Sequence, residues 1–554
     1  MENYIDTGKE KKMGILVGGG PAPGINSVIS SVVIEAVEKG FQVFGFLEGY
    51  KHLAQGGMDP HVQLEISDIS RITTTGGSFL KTSRVNPAKS EEYLENVVRV
   101  FRVLGITHLV SIGGEDTAFS SMKVAEHAEN QGYPLKTVHV PKTIDNDLPL
   151  PPGIPTFGFE TARSYGTQMI SILAEDARST GRWFVVVCMG RKAGHLALGI
   201  GKSAAATITL IPEEFDMDCT MKQLVDIIVG AIFKRLSMNR NYGIALVAEG
   251  FLELPDFFKG IGEVPRDDHG HAILAEINFS GLLKHEILER LAEFGTYLLE
   301  KGDILDWGKF LEDLKTHDTP PKTRIWEFLT DEAKEQINSW TPDRPFNERS
   351  RTVVLDALNR IIIRRDFFER EVFGDMDFSE ELDMLMMKGL ENLSQNQVQR
   401  FNRLLFKDVF PKEVGKISKM RIIDKDIGYE LRCAPPVAFD VEYTRNLGYA
   451  AVDFLVNGGT QAMVSIQRDR MVPIPFKKMF DVKTGKVKVR TVEKESVFYK
   501  IAKEYMIRLD PEDFLDPAKL KVLAETAGVS PASFKEEFFH VVEQEAKERS
   551  LIIS

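Results

Sequence analysis

Cysteine is scarce in this chain: Cys188, Cys219 and Cys433 are the three among 554 residues, and no two of them form a CxxC pair. That spacing excludes a structural zinc site and a disulfide framework and predicts a reduced, cytoplasmic setting. Long apolar runs are missing too. No uncharged stretch reaches the ~18–20 residues that span a bilayer, so no membrane association is expected. The opening residues 1–12, MENYIDTGKEKK, are polar and hold no apolar core of a signal peptide. Basic charge is in deficit, with 69 Lys and Arg against 81 Asp and Glu and a net charge of −12. A nucleic-acid partner needs a basic surface and is therefore not expected, although net charge leaves room for a basic cleft. There is no low-complexity tract and no short-period repeat. What remains is 43% hydrophobic and 27% charged, the balance of a soluble globular protein. At this length two or three domains are expected.

Met13 to Val17 is a short apolar run ending at Gly18-Gly19-Gly20, and Ile25 to Val37 follows with helical periodicity. Strand-like runs recur at Thr107–Ile112, Leu135–Val140, Trp183–Met189 and Tyr242–Ala248, with helix-like stretches between them. That alternation predicts an α/β fold with mostly parallel, doubly wound sheet. From about Leu282 to Phe406, charges alternate with Leu, Ile and Phe at helical spacing and no strand stands out, which predicts a helical insertion. Sheet-like texture returns at Ser418–Cys433. From Pro511 the chain reads as helical, with Phe538, Val541 and Val542 on one side.

The strand ends carry the chemistry. Gly18 to Asn26 joins a strand to a helix, where glycine amides approach an anion closely and the helix dipole favours it. The loop is neither a Walker A nor a GxGxxG loop, and a tight turn is the competing reading. Gly113-Gly114-Glu115-Asp116-Thr117 repeats the arrangement. Its acids open a helix, where they could cap it or, through Glu115, help bind Mg²⁺. Pro141-Lys142-Thr143-Ile144-Asp145-Asn146-Asp147 places two aspartates at i, i+2 beyond a β-rich run. One carboxylate can take a proton while the other holds charge near a metal or polyphosphate, and Lys142 offers phosphate a positive charge. Alone, Asp-x-Asp is more simply a solvated loop; here two glycine-rich phosphate-type loops precede it. Thr74 to Ser78 forms a third such loop, with Arg84 downstream. Arg182 and Met189-Gly190-Arg191 bracket one strand, and arginines so placed can clamp a sugar phosphate, though singly each is more often a surface ion pair. Glu249, and Tyr429-Glu430-Leu431-Arg432 before Pro435-Pro436, complete the set.

In this order the loops resemble those of phosphofructokinases. The family's GGxxPGxN is Gly19–Asn26, its GGDG loop appears altered at Gly113–Thr117, and its TIDND segment is Thr143–Asp147. MGR is Met189–Arg191 and AEG is Ala248–Gly250. The late GHxQRGGxPxxxD motif appears as Gly428 to Arg432, then Pro436 and Asp440. The likeness covers roughly residues 13–255 and 418–475. Its details are similar to the long pyrophosphate-dependent branch. Asp116 and Lys142 stand where ATP-using members carry glycine, Tyr429 replaces the late histidine, and the helical insertion is that branch's. Glu115 replaces the usual metal-binding aspartate with a carboxylate on a longer arm. Asp116 would meet the α-phosphate of ATP. Like charges ~4 Å apart at an effective dielectric near 20 repel by about 4 kcal/mol, about a thousandfold in binding.

The resemblance implies two Rossmann-like domains of the phosphofructokinase type. Residues 13–155 with about 430–475 would hold pyrophosphate and Mg²⁺. Residues 156–280 with about 407–429 and 476–554 would hold the sugar phosphate, and 281–406 would be the insertion. It implies reversible phosphoryl transfer from pyrophosphate to the 1-hydroxyl of fructose 6-phosphate. Asp145 would be the base, with Lys142 and Asp116 beside it in the catalytic set. Gly20, Arg84 and Lys142 would cradle pyrophosphate, and Glu115 and Asp147 would take Mg²⁺. Thr143, Ile144, Asp145, Met189, Gly190, Arg191, Glu249, Tyr429, Glu430, Leu431 and Arg432 would hold the sugar phosphate. Arg182 would reach the 6-phosphate in a neighbouring subunit, which implies a homodimer with shared sites. A second cross-subunit arginine of the family falls at Ile423, with Arg421 nearby. The alternatives are an ATP-dependent 6-phosphofructokinase, opposed by Asp116 and Lys142, and a NAD kinase, which leaves the sugar-phosphate motifs unexplained. A non-catalytic regulatory subunit is opposed by Lys142, Asp145 and Asp147.

Overall fold

Unbroken apolar runs suit strands that helices cover on both faces, and such strands pair in parallel. The computed structural model describes residues 11–215, 219–254, 257, 277–300, 420–481, 483 and 486–547. Its strands are β1 (Lys11–Val17), β2 (Phe41–Phe46), β3 (His61–Leu64), β4 (His108–Gly113), β5 (Lys136–Pro141), β6 (Arg182–Cys188), β7 (Ile208–Leu210), β8 (Gly243–Ala248), β9 (Arg421–Ile427), β10 (Ala462–Met463), β11 (Ile466–Gln467), β12 (Arg470–Met471) and β13 (Ile474–Pro475). One sheet runs β13-β10-β5-β4-β1-β2-β3 and is parallel except at its edge strands, β3 and β13. The other runs β7-β8-β6-β9, parallel throughout. Strands β11 and β12 form a small hairpin.

Side chains of a strand alternate between faces, and β6 shows the result. Phe184, Val186 and Cys188 enter a core shared with Val28, Ile29 and Val32 of helix Ile25–Glu38 and Ile170 of helix Phe159–Thr180. Trp183, Val185 and Val187 face a second core with Phe233, Phe279, Leu283, Phe534 and Phe538. Helix Ala438–Val456 packs along helix Ile25–Glu38, and Gly448 lets it come close: a Cβ there would lie 2.6 Å from Ser31 Cβ. Asp440 at the start of that helix is fully buried and accepts the Gly158 and Thr161 amides, each at 2.8 Å. Its carboxylate therefore supplies the N-terminal amides of helix Phe159–Thr180 with acceptors, which Gly158 at the cap position has no side chain to provide.

The expected strands at Met13–Val17, Thr107–Ile112, Leu135–Val140, Trp183–Met189 and Tyr242–Ala248 appear as β1, β4, β5, β6 and β8, shifted by no more than two residues at an end. At Ser418–Cys433 the strand stops at Ile427, and Tyr429–Arg432 forms one helical turn. Strands β2, β3, β7 and β10 to β13 were not expected. Phe538 and Val542 are buried in the second core, with Val541 against it. Residues 281–300 of the expected insertion are helical, within Phe279–Glu300; 301–406 lie outside the described residues. Among the described residues no helix is long and apolar enough to cross a membrane.

Candidate active site

The C-terminal ends of β1, β4 and β5 in the first sheet, and of β6, β8 and β9 in the second, deliver their loops to one cavity of about 310 Å³. Clefts outside the carboxyl ends of parallel strands are the usual ligand sites of such sheets, and this volume suits a small ligand.

On the first sheet, close backbone approach builds the wall. A Cβ on Gly18 would lie 2.4 Å from Thr117 Oγ1 and one on Gly113 would lie 2.3 Å from Thr117 Cβ, so both glycines make room for one threonine between β1 and β4. Gly19 adopts φ +80°, which favours glycine. Lys142 Nζ donates to the Gly20 carbonyl at 2.5 Å, and the Lys142 amide donates to Gly113 O at 2.8 Å. The lysine thereby ties all three loops together. Asn26 of the first loop turns away from the cavity. Its amide group donates to Thr75 Oγ1 and Gly76 O and its oxygen accepts the Phe79 amide, anchoring the loop that leads to Arg84. Arg84 lines the cavity. Glu115 and Asp116 occupy the first turn of helix Glu115–Asn130, whose cap position is Gly114 with no side-chain cap, and both face the cavity.

Thr143 Oγ1 accepts the Asp145 amide at 3.0 Å. Between the two aspartates, Asn146 adopts φ +57°, a left-handed kink that asparagine tolerates better than most residues. Both Asp145 and Asp147 line the cavity. Burial, then Glu249, pushes Asp145 up to about 6, against the pull of Arg432, Arg191 and Lys142. Burial and the Asp145 charge likewise push Asp147 up to about 6. Burial, then Asp147, raises Glu115. Burial, then Arg432, lowers Lys142 to about 7, partly offset by Asp145. Opposed shifts of an acid and a base in one cleft mark a place where protons and anionic charge are handled.

The second sheet supplies the facing wall. Met189, Arg191, Glu249, Tyr429 and Arg432 line it. Glu249 Oε1 accepts the Gly190 amide at 3.0 Å, so Gly190 acts on the wall through Glu249 and does not itself line the cavity. The Arg432 guanidinium lies over the Tyr429 ring, 5.3 Å from its centre. Two expected contributors are turned elsewhere. Leu431 is fully buried in the core, and Glu430 accepts the Gly428 amide at 3.2 Å. The helical turn Tyr429–Arg432 points successive side chains in different directions, and Tyr429 and Arg432, three residues apart, share its cavity side. Arg182 begins β6, at the end opposite the cavity, with its Nε 3.8 Å from Asp176 Oδ2. The β6–β9 register sets Arg421 directly beside it, and Ile423 beside Phe184.

Sequence reasoning missed several residues here. Lys192, from the loop after β6, ion-pairs with Glu115 of the other wall, and Arg191 stands 3.9 Å from the same carboxylate oxygen. Its position next to Met189–Arg191 was the available signal. Tyr50 closes one side of the cavity, its hydroxyl 2.9 Å from Ser121 Oγ. His139, kept neutral by burial that lowers it to about 3, contacts Gly113 O through Nε2 at 2.9 Å and Ser111 Oγ through Nδ1 at 3.0 Å. It braces the carbonyl that also receives the Lys142 amide.

The chain is similar to named proteins along nearly its whole length. A protein of Thermotoga maritima named pyrophosphate–fructose 6-phosphate 1-phosphotransferase is 39% identical over 541 residues, 96% of this chain and 99% of that one. A protein of the same name from Naegleria fowleri is 37% identical over 543 residues, 96% of each. A solved pyrophosphate-dependent phosphofructokinase from Nitrosospira multiformis shares the fold, with a TM-score of 0.50 at 16% identity over 89% of this chain and 90% of that one. The sequence model of the phosphofructokinase family matches residues 12–286. With its two parallel sheets meeting over one acid-and-lysine cavity, the chain belongs to the phosphofructokinase family.

Proposed function

We propose that the chain reversibly transfers a phosphoryl group from pyrophosphate to the 1-hydroxyl of fructose 6-phosphate, giving fructose 1,6-bisphosphate and phosphate, as a step of glycolysis and gluconeogenesis. The observation that carries this reading is the pairing of Asp116 and Lys142 on the first-sheet wall, opposite Arg191 and Arg432. The names of the full-length relatives support it.

Asp145 takes the proton from the sugar hydroxyl as the oxygen attacks phosphorus. A carboxylate raised to about 6 suits that work near neutral pH, being ionised yet basic. Lys142, with Gly20 and Arg84, holds pyrophosphate and stabilises the charge on the departing phosphate. Asp116 repels the α-phosphate of ATP. Glu115 and Asp147 are two carboxylates on one wall, near enough that the Asp147 charge raises Glu115. Among the described residues no group of three or more His, Cys, Asp or Glu side chains is poised for a metal. Such a pair fits Mg²⁺, which binds through one or two carboxylates together with substrate phosphates and water. When bound, Mg²⁺ would neutralise phosphate charge. Thr143, Ile144, Met189, Arg191, Glu249, Tyr429 and Arg432 orient the sugar phosphate, and Gly190 fixes Glu249.

Arg182 lies away from its own cavity, which supports its service to the 6-phosphate bound by a second copy in a cytoplasmic homodimer. The register beside Arg182 favours Arg421 over Ile423 as the second such cation, since an isoleucine offers phosphate nothing. The test is direct. Purified protein is assayed with fructose 6-phosphate, Mg²⁺ and either pyrophosphate or ATP. Turnover with pyrophosphate far exceeding that with ATP is expected; preference for ATP, or no turnover with either, rejects the assignment.

A further inference from the structure

A short stretch, Arg490 to Val492, touches the loops of both half-sites without lining the cavity. On one side it grips the loop after β5. The Arg490 amide donates to Asp147 O at 2.8 Å. The Arg490 guanidinium donates to Asn146 O at 3.0 Å, Ile154 O at 2.8 Å and Leu150 O at 3.3 Å, and also to Asn146 Oδ1. That same Oδ1 accepts the Thr156 amide at 3.0 Å, so the left-handed Asn146 between the two aspartates is held from two directions. On the other side, the stretch meets the loop after β6. His195 Nε2 lies 3.3 Å from Arg490 O. The Glu213 carboxylate oxygen Oε1 accepts both the Val492 amide at 3.0 Å and the Gly194 amide at 2.8 Å. The loop so fixed, Met189 to His195, carries Arg191 and Lys192.

We infer that residues 490–492 form a strut that sets the spacing of the two half-sites, with Arg490 as the positioning residue for Asp145 and Asp147. A planar fork of donors is needed to serve carbonyls that diverge around one loop, and a lysine at 490 cannot reproduce it. Phosphoryl transfer depends on placing donor and acceptor, so the strut acts on turnover more than on binding of either substrate. The kinetic part rests on the reaction proposed above; the structural part does not.

Two arms test it. In steady-state kinetics with pyrophosphate, Arg490→Lys should lower kcat by roughly 10- to 100-fold, the scale of a misplacement near 1 Å. KM for fructose 6-phosphate should stay near the parent value, and guanidinium ion added at low concentration should restore part of the turnover of Arg490→Ala. In amide hydrogen exchange of the ligand-free protein, Arg490→Lys should quicken exchange in both 143–156 and 190–196, although Arg490 is distant from each in sequence. Parent-level kcat in Arg490→Lys, or quickening confined to 143–156, overturns the strut. So does a folded Arg490→Ala whose lost activity guanidinium leaves unchanged. Should Arg490→Ala not fold, Arg490→Lys, which keeps the charge, decides by kcat and exchange. An inactive parent protein overturns the reaction instead, and the exchange arm then judges the strut alone.

Discussion

Lys142 makes the binding of pyrophosphate a proton-coupled event. Burial and the neighbouring Arg432 hold its amine at about 7 in the ligand-free cavity. Pyrophosphate brings negative charge against it, and an opposite charge favours the ammonium form. An amine of pKa near 7 is only roughly one-tenth protonated at pH 8, so restoring it toward its ordinary value near 10.4 takes up about 0.9 proton on binding. At pH 6 the amine is already about nine-tenths charged, and its uptake falls to about 0.1. The coupling should therefore grow as pH rises from 6 to 8. Asp145 and Asp147, pushed up to about 6 in the ligand-free cavity, are raised further by the charge of pyrophosphate, so the lysine's share is read against a variant that keeps both aspartates. Calorimetric titration with pyrophosphate, in two buffers of different ionisation enthalpy, reads the number of protons from the difference in heat. Ionisation of pyrophosphate itself contributes equally to the parent and to Lys142→Met, so the difference between the two proteins is the quantity of interest. Loss of a preorganised donor at the departing phosphate should also cost Lys142→Met about 10²- to 10³-fold in turnover. If parent and variant take up the same number of protons at pH 8, the account of Lys142 is wrong.

Asp145→Ser should lose at least ~10²-fold in turnover while binding fructose 6-phosphate nearly as the parent does, the low end expected for removal of a general base. Because Asp145 must be ionised to accept a proton, kcat/KM of the parent, which reports the ligand-free enzyme, should fall as pH drops through about 6; a flat profile of kcat/KM between 5 and 8 speaks against that role. Asp116→Gly should shift the ratio of kcat/KM toward ATP, by up to about a thousandfold if the whole repulsion is relieved, and an unchanged ratio places donor choice elsewhere. Mixing Arg182→Ala with Asp145→Ser chains should recover activity, since a hybrid dimer holds one site with an intact Asp145 and an intact partner arginine. Exchange of subunits without recovery refutes the shared site.

How legible the fold was depended on strand length and continuity. β6 and β8 are seven- and six-residue runs whose apolar continuity announces them, whereas β4 and β5, six residues each, interleave polar residues with Leu, Val and Ile and are announced by β-branched content between helices. β10 and β13 are two residues each, too short to carry a period. Edge strand β3 is mostly half-exposed and reads as loop. In the site, Gly20, Lys142, Asp145 and Arg191 were legible because a loop at a strand end concentrates its chemistry within a few residues. Leu431 read as part of a binding motif, yet the helical turn it belongs to sends it into the core. Lys192 sat beside a recognised motif, but its partner Glu115 lies 77 residues away. Arg490 had no local signal at all: the carbonyls it holds are 336 to 344 residues earlier.

The order of synthesis gives the strand arrangement a further consequence. Both sheets are completed from late in the chain, β9 joining β6 and β10 joining β5. Until those residues leave the ribosome, β5 and β6 each present an open edge, and two of the cavity's loops, those that carry Asp145 and Arg191, follow these two strands. Exposed edges invite pairing with other chains, and contacts between residues so distant in sequence form slowly. A nascent chain halted before Arg421 would thus hold most of the phosphate-facing residues, none of its late wall, and two sticky margins. The topology therefore leaves two strand edges open to mispairing for as long as the last quarter of the chain is unsynthesised.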